Sequence, residues 1–150
     1  MSSVTLEIIT PERVVLSTTV NMVSVRTGGG ELGILPRHFP LAATVTPGVV
    51  KVKVEEGEDF IAVSEGFLHV RPDRVVLLVD TAEVGWSIDV KRAEEAKQRA
   101  ERRLAEKGTD IDTARAETAL HRALYRLQAA EHSEKAGEWL KKAKDKSQSS

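Results

Sequence analysis

The hydrophobic pattern of this 150-residue chain changes its period once, close to Gly85. Before that point, short apolar runs alternate with polar residues or stop at turn residues, which is typical of β-strands. After it, alanine, leucine and arginine recur at three- and four-residue spacing, which is typical of helices. Strands that all precede the helices favour an α+β fold, so we expect a β domain over residues 1–84 and helices from residue 85 onward.

Six stretches of the first part carry the strand pattern. In chain order they are VTLEIIT, VVLSTTV, MVSVRT, VVKVKVEE, FIAVSEGFLHV and RVVLLVD. In the fourth stretch valine alternates with Lys51 and Lys53, which predicts a strand with one face in water. Glu56-Gly57 and Pro72-Asp73 predict hairpin turns. Strands this numerous, with no helix between them, predict an antiparallel β-sandwich or flattened barrel.

The second part contains nearly the same helical sequence twice. IDVKRAEEAKQRAERRL begins at Ile88, and IDTARAETALHRALYRL begins at Ile111. Asp89 and Asp112 each precede a run of helix formers and are predicted N-caps. Residues 107–110, KGTD, predict the end of one helix and the start of the next. Because so short a connection makes neighbouring helices antiparallel, residues 85–132 are predicted to form a two-helix hairpin.

Residues 133–150 are predicted to be a helix extension and a disordered tail. Glu134 to Lys146 could continue the second helix, although Gly137 weakens it. Trp139 and the lysines after it are expected to form a frayed, solvated helix end, followed by a disordered SQSS terminus.

Composition excludes several classes of function. The chain has no cysteine, which excludes disulfides, thiolate metal sites and a thiol nucleophile. It has no apolar run near the roughly 20 residues of a membrane helix and no signal-peptide pattern, so we expect a soluble chain without membrane insertion. From Ser87 onward fifteen Lys and Arg face twelve Asp and Glu, a net charge of +3. That charge is far below that of a nucleic-acid-binding tail, so no nucleic-acid partner is expected.

Two sequence features could indicate a nucleotide-binding or metal-binding site, but the neighbouring residues that such a site requires are missing. Residues 28–33 match GxGxxG after a strand, but Pro36 and Pro40 forbid the helix that a dinucleotide site requires next. A glycine-rich turn is the better interpretation. The four histidines show no ligand spacing, so structural or surface roles are expected for His38, His69, His121 and His132. The sequence therefore predicts neither a catalytic residue nor a metal site.

The repeated helix places its arginines in rows. Helix positions i, i+7 and i+11 lie within about 40° of one another. The two rows with this spacing are Arg92, Arg99 and Arg103, and Arg115, Arg122 and Arg126. Beside them run apolar stripes of Ala93, Ala96, Ala100 and Leu104, and of Ala116, Ala119, Ala123 and Leu127. If the stripes face each other, both rows lie on the same face of the hairpin, with Arg92 beside Arg126.

Two interpretations of these rows are open. Crowded guanidinium groups repel each other by about 1–3 kcal/mol per close pair, and an alanine seam buries little, so a polyanion would stabilise the closed hairpin. Alternatively, glutamates on the same helices form ordinary surface salt bridges with the arginines. Those glutamates are Glu94, Glu95, Glu101 and Glu117. Periodicity alone favours the salt bridges.

Two longer motifs carry a family resemblance. GELGILPRHFPL (residues 30–41) and EGFLHVRPDRVVLLVDTAE (residues 65–83) resemble stretches of the epsilon subunits of bacterial F-type ATP synthases, and the resemblance extends over roughly residues 4–131. It implies a non-catalytic central-stalk subunit, peripheral on the cytoplasmic face of the plasma membrane. The sandwich would contact the gamma subunit and the ring of c subunits, coupling the rotor to proton flow. The hairpin would rise into the alpha/beta catalytic head and inhibit ATP hydrolysis.

Some members of this family also bind ATP, without hydrolysing it, through an I/L-D-x-x-R-A motif that residues 88–93 match in full. The resemblance implies that Glu83, Ile88, Asp89 and Ala93 hold the adenine end of ATP. It assigns the ribose and phosphates to the four arginines that helix spacing had already grouped: Arg92, Arg99, Arg122 and Arg126. This agreement favours the ATP site over the salt bridges.

Arg103 and Arg115 lie outside the ATP-binding pattern and are expected to contact the catalytic head when the hairpin is open. Two alternatives to an ATP-sensitive subunit remain: the same subunit with inhibition independent of ATP, and a free-standing anion-binding module.

Overall fold

The computed structural model describes residues 2–106 and 108–148, and within them ten strands precede three helices. The strands are β1 (Val4–Ile9), β2 (Val14–Val20), β3 (Met22–Thr27), β4 (Gly30–Ile34), β5 (Leu41–Val45), β6 (Gly48–Lys53), β7 (Glu58–Val63), β8 (Gly66–Arg71), β9 (Arg74–Val79) and β10 (Ala82–Val84). A short 3₁₀ turn at Gly85–Ser87 leads to the helices α1 (Val90–Ala105), α2 (Asp110–Ala136) and α3 (Trp139–Gln148). The predicted α+β order is confirmed.

The strands form one continuous sheet that curls on itself. Its order is β10-β7-β6-β3-β5-β8-β9-β1-β2, with β4 paired to β3. The two end strands, β10 and β2, come within 8 Å of each other, so the sheet is a nearly closed sandwich or flattened barrel. All neighbouring strands are antiparallel except β1 and β9, which pair in parallel with Thr5 opposite Arg74. Strand patterning could not predict this exception, because alternation specifies a buried face but not a strand direction.

The sandwich core consists of the inward-facing residues of these strands. Val50 and Val52 are at most 1% exposed, whereas Lys51 and Lys53 between and beside them are on the outer face, which confirms the predicted wet face of β6. The largest fully buried side chains are Leu6, Ile8, Ile34, Ile61, Leu68 and Leu77.

Several turns follow the sequence prediction. Gly28 and Gly29 connect β3 to β4, and an extended chain follows them, so the glycine-rich motif is a turn. The stretch FIAVSEGFLHV is two strands, β7 and β8, because the chain turns at Ser64 and Glu65. Three strands were missed, β4, β5 and β10, because they are short and GELGI, LAATV and AEV are low in β-branched residues.

Helices α1 and α2 pack along each other as the predicted hairpin. Asp89 caps α1, since its Oδ1 accepts a hydrogen bond from Arg92 N at 3.1 Å. The prediction that Asp112 caps α2 is wrong. The helix begins earlier, at Asp110, because Thr109 supplies the capping oxygen and accepts a hydrogen bond from Asp112 N at 3.2 Å. Lys107, part of the predicted helix stop, lies outside the described residues.

The C-terminal segment differs from the expected helix extension. Helix α2 ends at Ala136, because Gly137 adopts a left-handed conformation with φ 106°, which costs glycine no Cβ clash. Helix α3 then returns to the sandwich, where Leu140 is only 4% exposed within the main core. The expectation of a frayed, solvated end is therefore wrong, and Ser147 and Gln148 are helical. Ser149 and Ser150 lie outside the described residues.

Candidate functional site

The hairpin rests on the sandwich through small side chains. Ala93 of α1 and Ala129 of α2 are both 0% exposed, and they pack in one cluster with Ala62 of β7 and with Ile88. Phe60 and Val49 border this cluster from the sandwich. Because alanine projects only a methyl group, both helices can approach the sheet closely.

The seam between α1 and α2 is also made of alanine. Of the predicted stripes, the buried members are Ala93, Ala100, Ala116 and Ala123. Ala96, Leu104 and Leu127 are half-buried, whereas Ala119 is exposed, contrary to prediction. Ala119 lies about 60° around the helix from Ala116, which places it at the margin of the contact.

A cavity of about 890 Å³ separates the hairpin from one side of the sandwich. Helix α1 contributes Arg92, Glu95, Ala96 and Arg99, and helix α2 contributes Thr118, His121, Arg122, Tyr125 and Arg126. The sandwich contributes Arg26, Thr46, Pro47, Ala62, Val63, Ser64, Glu65, Thr81 and Glu83. This volume is in the range of sites for nucleotide-sized ligands, about 300–1,000 Å³.

The lining of the cavity is rich in positive charge. Five arginines and three glutamates border it. The closest ion pair joins Arg126 to Glu83: Nε lies 2.7 Å from Oε1, and Nη2 donates a hydrogen bond to Oε2 at 3.3 Å. Arg92, Arg99 and Arg122 form no ion pair within 4 Å among the described residues. A ligand with several negative charges would therefore find unpaired guanidinium groups on both helices.

The alternative of helix-surface salt bridges does not describe this structure. In the part of the chain that the structure describes, none of Glu94, Glu95, Glu101 and Glu117 lies within 4 Å of an arginine nitrogen. Among the described residues, Arg126 is the one arginine of the two rows that forms an ion pair, and its partner Glu83 belongs to the sandwich.

The structure brings together five of the eight predicted site residues. Glu83, Arg92, Arg99, Arg122 and Arg126 all border the cavity. The other three do not border it: Ile88 and Ala93 are buried in the contact between hairpin and sandwich, and Asp89 is the exposed N-cap of α1. Their role toward an adenine ring stays a prediction. Arg103 and Arg115 are exposed and lie outside the cavity.

The cavity also contains residues that sequence patterns did not single out. Arg26, the residue before the end of β3, borders the cavity from the sandwich side, and its carbonyl oxygen accepts a hydrogen bond from Thr46 N at 3.0 Å. Ser64 and Thr81 meet across the β7–β10 edge, where Thr81 N donates to Ser64 Oγ at 2.8 Å. His121, expected to have a surface role, borders the cavity from α2. No local pattern marks these residues, because they meet through strand pairing and helix docking.

Family models match almost the whole described chain up to residue 131. The model of the ATP synthase delta/epsilon chain β-sandwich domain matches residues 3–85. The model of the delta/epsilon chain long α-helix domain matches residues 87–131.

Similar proteins and structures agree with this match. The ATP synthase epsilon chain of Halalkalibacterium halodurans is 49% identical over 106 residues, which are 71% of this chain and 80% of that one. The Bacillus subtilis epsilon chain is 46% identical over 104 residues, 69% of this chain and 79% of that one. A chain of the Euglena gracilis mitochondrial ATP synthase (OSCP/F1/c-ring) superposes with a TM-score of 0.71 at 25% identity, covering 87% of this chain and 82% of that one. A chain of the Tetrahymena thermophila central stalk/c-ring shares the fold, with a TM-score of 0.56 at 14% identity over 86% and 97% of the two chains.

The chain therefore belongs to the ATP synthase delta/epsilon family, and within it to the epsilon subunits of the F-type central stalk. This assignment contradicts the alternative of a free-standing anion-binding module. No helix among the described residues has the length and apolar character needed to cross a membrane.

Proposed function

We propose that this subunit inhibits ATP hydrolysis through its C-terminal hairpin and that ATP, bound but not hydrolysed, holds the hairpin folded. The observation that carries the proposal is the cavity between hairpin and sandwich, with four arginines from two helices and Glu83 around it. ATP would bridge the two helices and the sandwich, so that leaving the folded state would require its release. At a hundredfold excess over Kd, a ligand that binds only the folded state stabilises it by about 2.7 kcal/mol.

Charge is the main support for a nucleotide as the ligand. The arginine–phosphate bond is charge-assisted and contributes about 1.5–3 kcal/mol, and planar guanidinium groups suit phosphate oxygens. The half-buried Tyr125 and the aliphatic parts of the lining give the ligand an apolar surface as well. Glu83 holds Arg126 in place and would also disfavour a ligand whose charge lies next to it.

The test is calorimetric titration of the whole isolated subunit with ATP, in parallel with inorganic triphosphate. Stoichiometric heat at millimolar ATP or below is expected, with protection of the hairpin from protease. Absence of heat at millimolar ATP would sink the sensing role. Stronger binding of triphosphate than of ATP would mean that the cavity recognises only polyanions and that the adenine assignment is wrong.

In a second candidate function, the hairpin inhibits ATP hydrolysis but is not regulated by bound ATP. Its support is the exposure of Arg103 and Arg115, which lie outside the cavity and are free to meet an acidic surface of the catalytic head. In a reconstituted complex, both candidates predict that Arg115→Ala relieves inhibition without altering ATP binding to the isolated subunit, so Arg122 is the residue that separates them. Arg122→Ala would relieve inhibition to the same extent under this candidate, but would weaken ATP binding under the first.

We also propose that the sandwich docks on the gamma subunit and the c ring at the membrane's cytoplasmic face and takes part in coupling to proton flow. Exposed aromatic and aliphatic side chains support a docking surface: Phe67 of β8 is 65% exposed and lies opposite Leu78 of β9, which is 47% exposed. Phe39, in the loop before β5, is 85% exposed. Adjacent exposed apolar side chains of this kind mark interaction sites.

The docking proposal is tested by co-purification with the gamma subunit. Phe67→Ser should weaken the association, whereas Val14→Ser, which also removes an exposed apolar side chain, should not. Equal loss in both variants, or in neither, would contradict a docking surface at Phe67.

A further inference from the structure

One buried carboxylate belongs neither to the sandwich core nor to the nucleotide cavity. Asp59 of β7 is 0% exposed and is not among the residues that border the cavity. Burial of a carboxylate destabilises the folded state unless the group is well hydrogen-bonded. The hydrogen-bond partners of Asp59 therefore indicate its structural role.

Asp59 of the sandwich is hydrogen-bonded to the last turn of α2 and to the first turn of α3. Its Oδ1 accepts hydrogen bonds from Ser133 Oγ at 2.5 Å and from Phe60 N at 2.8 Å, and its Oδ2 accepts one from Leu140 N at 2.9 Å. All three partners are donors, which suits a carboxylate that can only accept. Leu140 lies in the first turn of α3, where amide groups have no partner inside the helix, so Asp59 caps α3 from another element.

The packing around this carboxylate is close. Ser133 and Ala129, on the side of α2 that faces the sandwich, are 0% exposed, and Leu140 is 4% exposed. At Gly85 a Cβ would clash with the carbonyl oxygen of Ala129 and lie 2.6 Å from Ser133 Cβ, so the backbone of α2 reaches the 3₁₀ turn only because that residue is glycine. Helix α2 is therefore held at its C-terminal end as well as beside the cavity.

We propose that Asp59, Ser133 and Leu140 form a second, nucleotide-independent latch, called here the Asp59 latch, that holds the hairpin on the sandwich. Two of its three residues lie beyond residue 131, where the family-model match ends, so the latch depends on the C-terminal extension of this chain. None of the three borders the cavity, so the latch is separate from the proposed ATP site. The effect of the latch on inhibition rests on the proposed function, in which the opened hairpin inhibits ATP hydrolysis.

The Asp59 latch sets the fraction of subunits whose hairpin is closed on the sandwich in the absence of ATP. A ligand's apparent Kd is its intrinsic Kd divided by the fraction of protein already in the binding state. A hairpin held closed by the Asp59 latch binds ATP close to the intrinsic affinity, whereas an unlatched hairpin binds more weakly. The extension therefore lowers the ATP concentration needed to keep the hairpin closed.

The experiment measures opening of the whole isolated subunit without nucleotide, by hydrogen exchange of α1 and α2 and by protease sensitivity. Ser133→Ala removes one donor to a buried carboxylate, and opening should rise about tenfold to a hundredfold, the effect of losing a hydrogen bond to a charged group. Glu134→Ala is the matched control, because Glu134 is the next residue of the same helix and is exposed. Exchange in β1 and β9 reports whether the sandwich stays folded.

Asp59→Asn provides a second variant of similar size, in which one carboxylate oxygen becomes an amide that cannot accept. Faster opening in Ser133→Ala, with unchanged β1 and β9 exchange and no effect of Glu134→Ala, supports the latch. Unchanged opening in both Ser133→Ala and Asp59→Asn overturns it, and if Asp59→Asn unfolds the sandwich, Ser133→Ala alone decides. Because no nucleotide is present, a subunit that fails to bind ATP leaves this test intact, and a failed latch leaves ATP binding to be judged by calorimetry.

Discussion

The sandwich and the hairpin are stabilised in different ways. In the sandwich, Leu6, Ile8 and Leu77 are all 0% exposed, and burial of each such side chain contributes about 1.5–3 kcal/mol. In the hairpin, the buried residues of α1 and of its seam with α2 are alanines, which contribute much less. The sandwich therefore depends little on the hairpin for its stability, and under the proposed function a ligand or a single latch is enough to keep the hairpin docked.

The two regions also treat charge differently. On the sandwich surface, Arg74 and Glu7 pair across β9 and β1 at 2.7 Å. On the hairpin, Arg92, Arg99 and Arg122 border the cavity, and none of them forms an ion pair within 4 Å among the described residues. Unpaired arginines beside a weakly packed alanine seam are expected in a hairpin whose docked state is stabilised by a bound anion.

The largest expected effect is in the sandwich core. Leu77→Ala should lower the free energy of unfolding by about 2–5 kcal/mol, because a large buried side chain leaves a cavity. Ala100→Gly, in the hairpin seam, should cost about 1 kcal/mol, mainly through helix propensity. Denaturant unfolding followed by circular dichroism measures both, and equal losses would contradict the difference between the regions.

The next largest effect concerns the ion pair that spans them. Arg126→Ala should weaken ATP binding by roughly tenfold to a hundredfold, because it removes a charge-assisted contact and leaves Glu83 unpaired beside the phosphates. Arg115→Ala removes the same charge from the same helix outside the cavity and should change affinity little. Calorimetry separates the two, and a similar loss in both would indicate a general charge effect.

Arg26→Ala tests whether the ligand contacts the sandwich as well as the hairpin. Loss of a guanidinium at the cavity wall should weaken ATP binding by about tenfold, without changing the stability of the sandwich. Arg71→Ala, also an exposed arginine on a strand but outside the cavity, is the control. Wild-type affinity in Arg26→Ala would mean that the nucleotide is held by the helices and Glu83 alone.

The smallest expected effect separates two roles of Asp89. Asp89→Ala should destabilise the start of α1 by about 1 kcal/mol, whereas Asp89→Ser retains a capping oxygen and should cost little. Hydrogen exchange at the start of α1 measures the cap, and calorimetry measures ATP binding. If Asp89→Ser keeps the cap but weakens ATP binding, Asp89 is also a ligand residue.

Sequence patterns predicted the features that depend on the periodicity of a single strand or helix. Alternating valine and lysine identified β6, and the i, i+7, i+11 spacing identified two rows of three arginines, of which Arg92, Arg99, Arg122 and Arg126 border one cavity while Arg103 and Arg115 do not. Each of these follows from backbone geometry alone. The cap of α2 was assigned to Asp112 instead of Thr109, because both can accept the bond and sequence does not fix where the first turn begins.

Residues that meet only through tertiary contacts were beyond such patterns. Arg26 reaches the cavity because β3 ends beside it, and Asp59 meets Ser133 and Leu140 across more than seventy residues of chain. A buried aspartate inside a strand looks like a surface residue until its partners are known. The C-terminal segment was therefore mistaken for a solvated end.

The parallel pairing of β1 with β9 has a consequence for biogenesis. Strand β1 has β2 as an early neighbour, but its other edge stays open until residues 74–78 have been synthesised. Such a long-range contact forms slowly, so an incomplete sandwich exposes a strand edge to other nascent chains. A chain that ends before β9 leaves this edge of β1 open, so we expect such a fragment to aggregate more readily than the whole subunit.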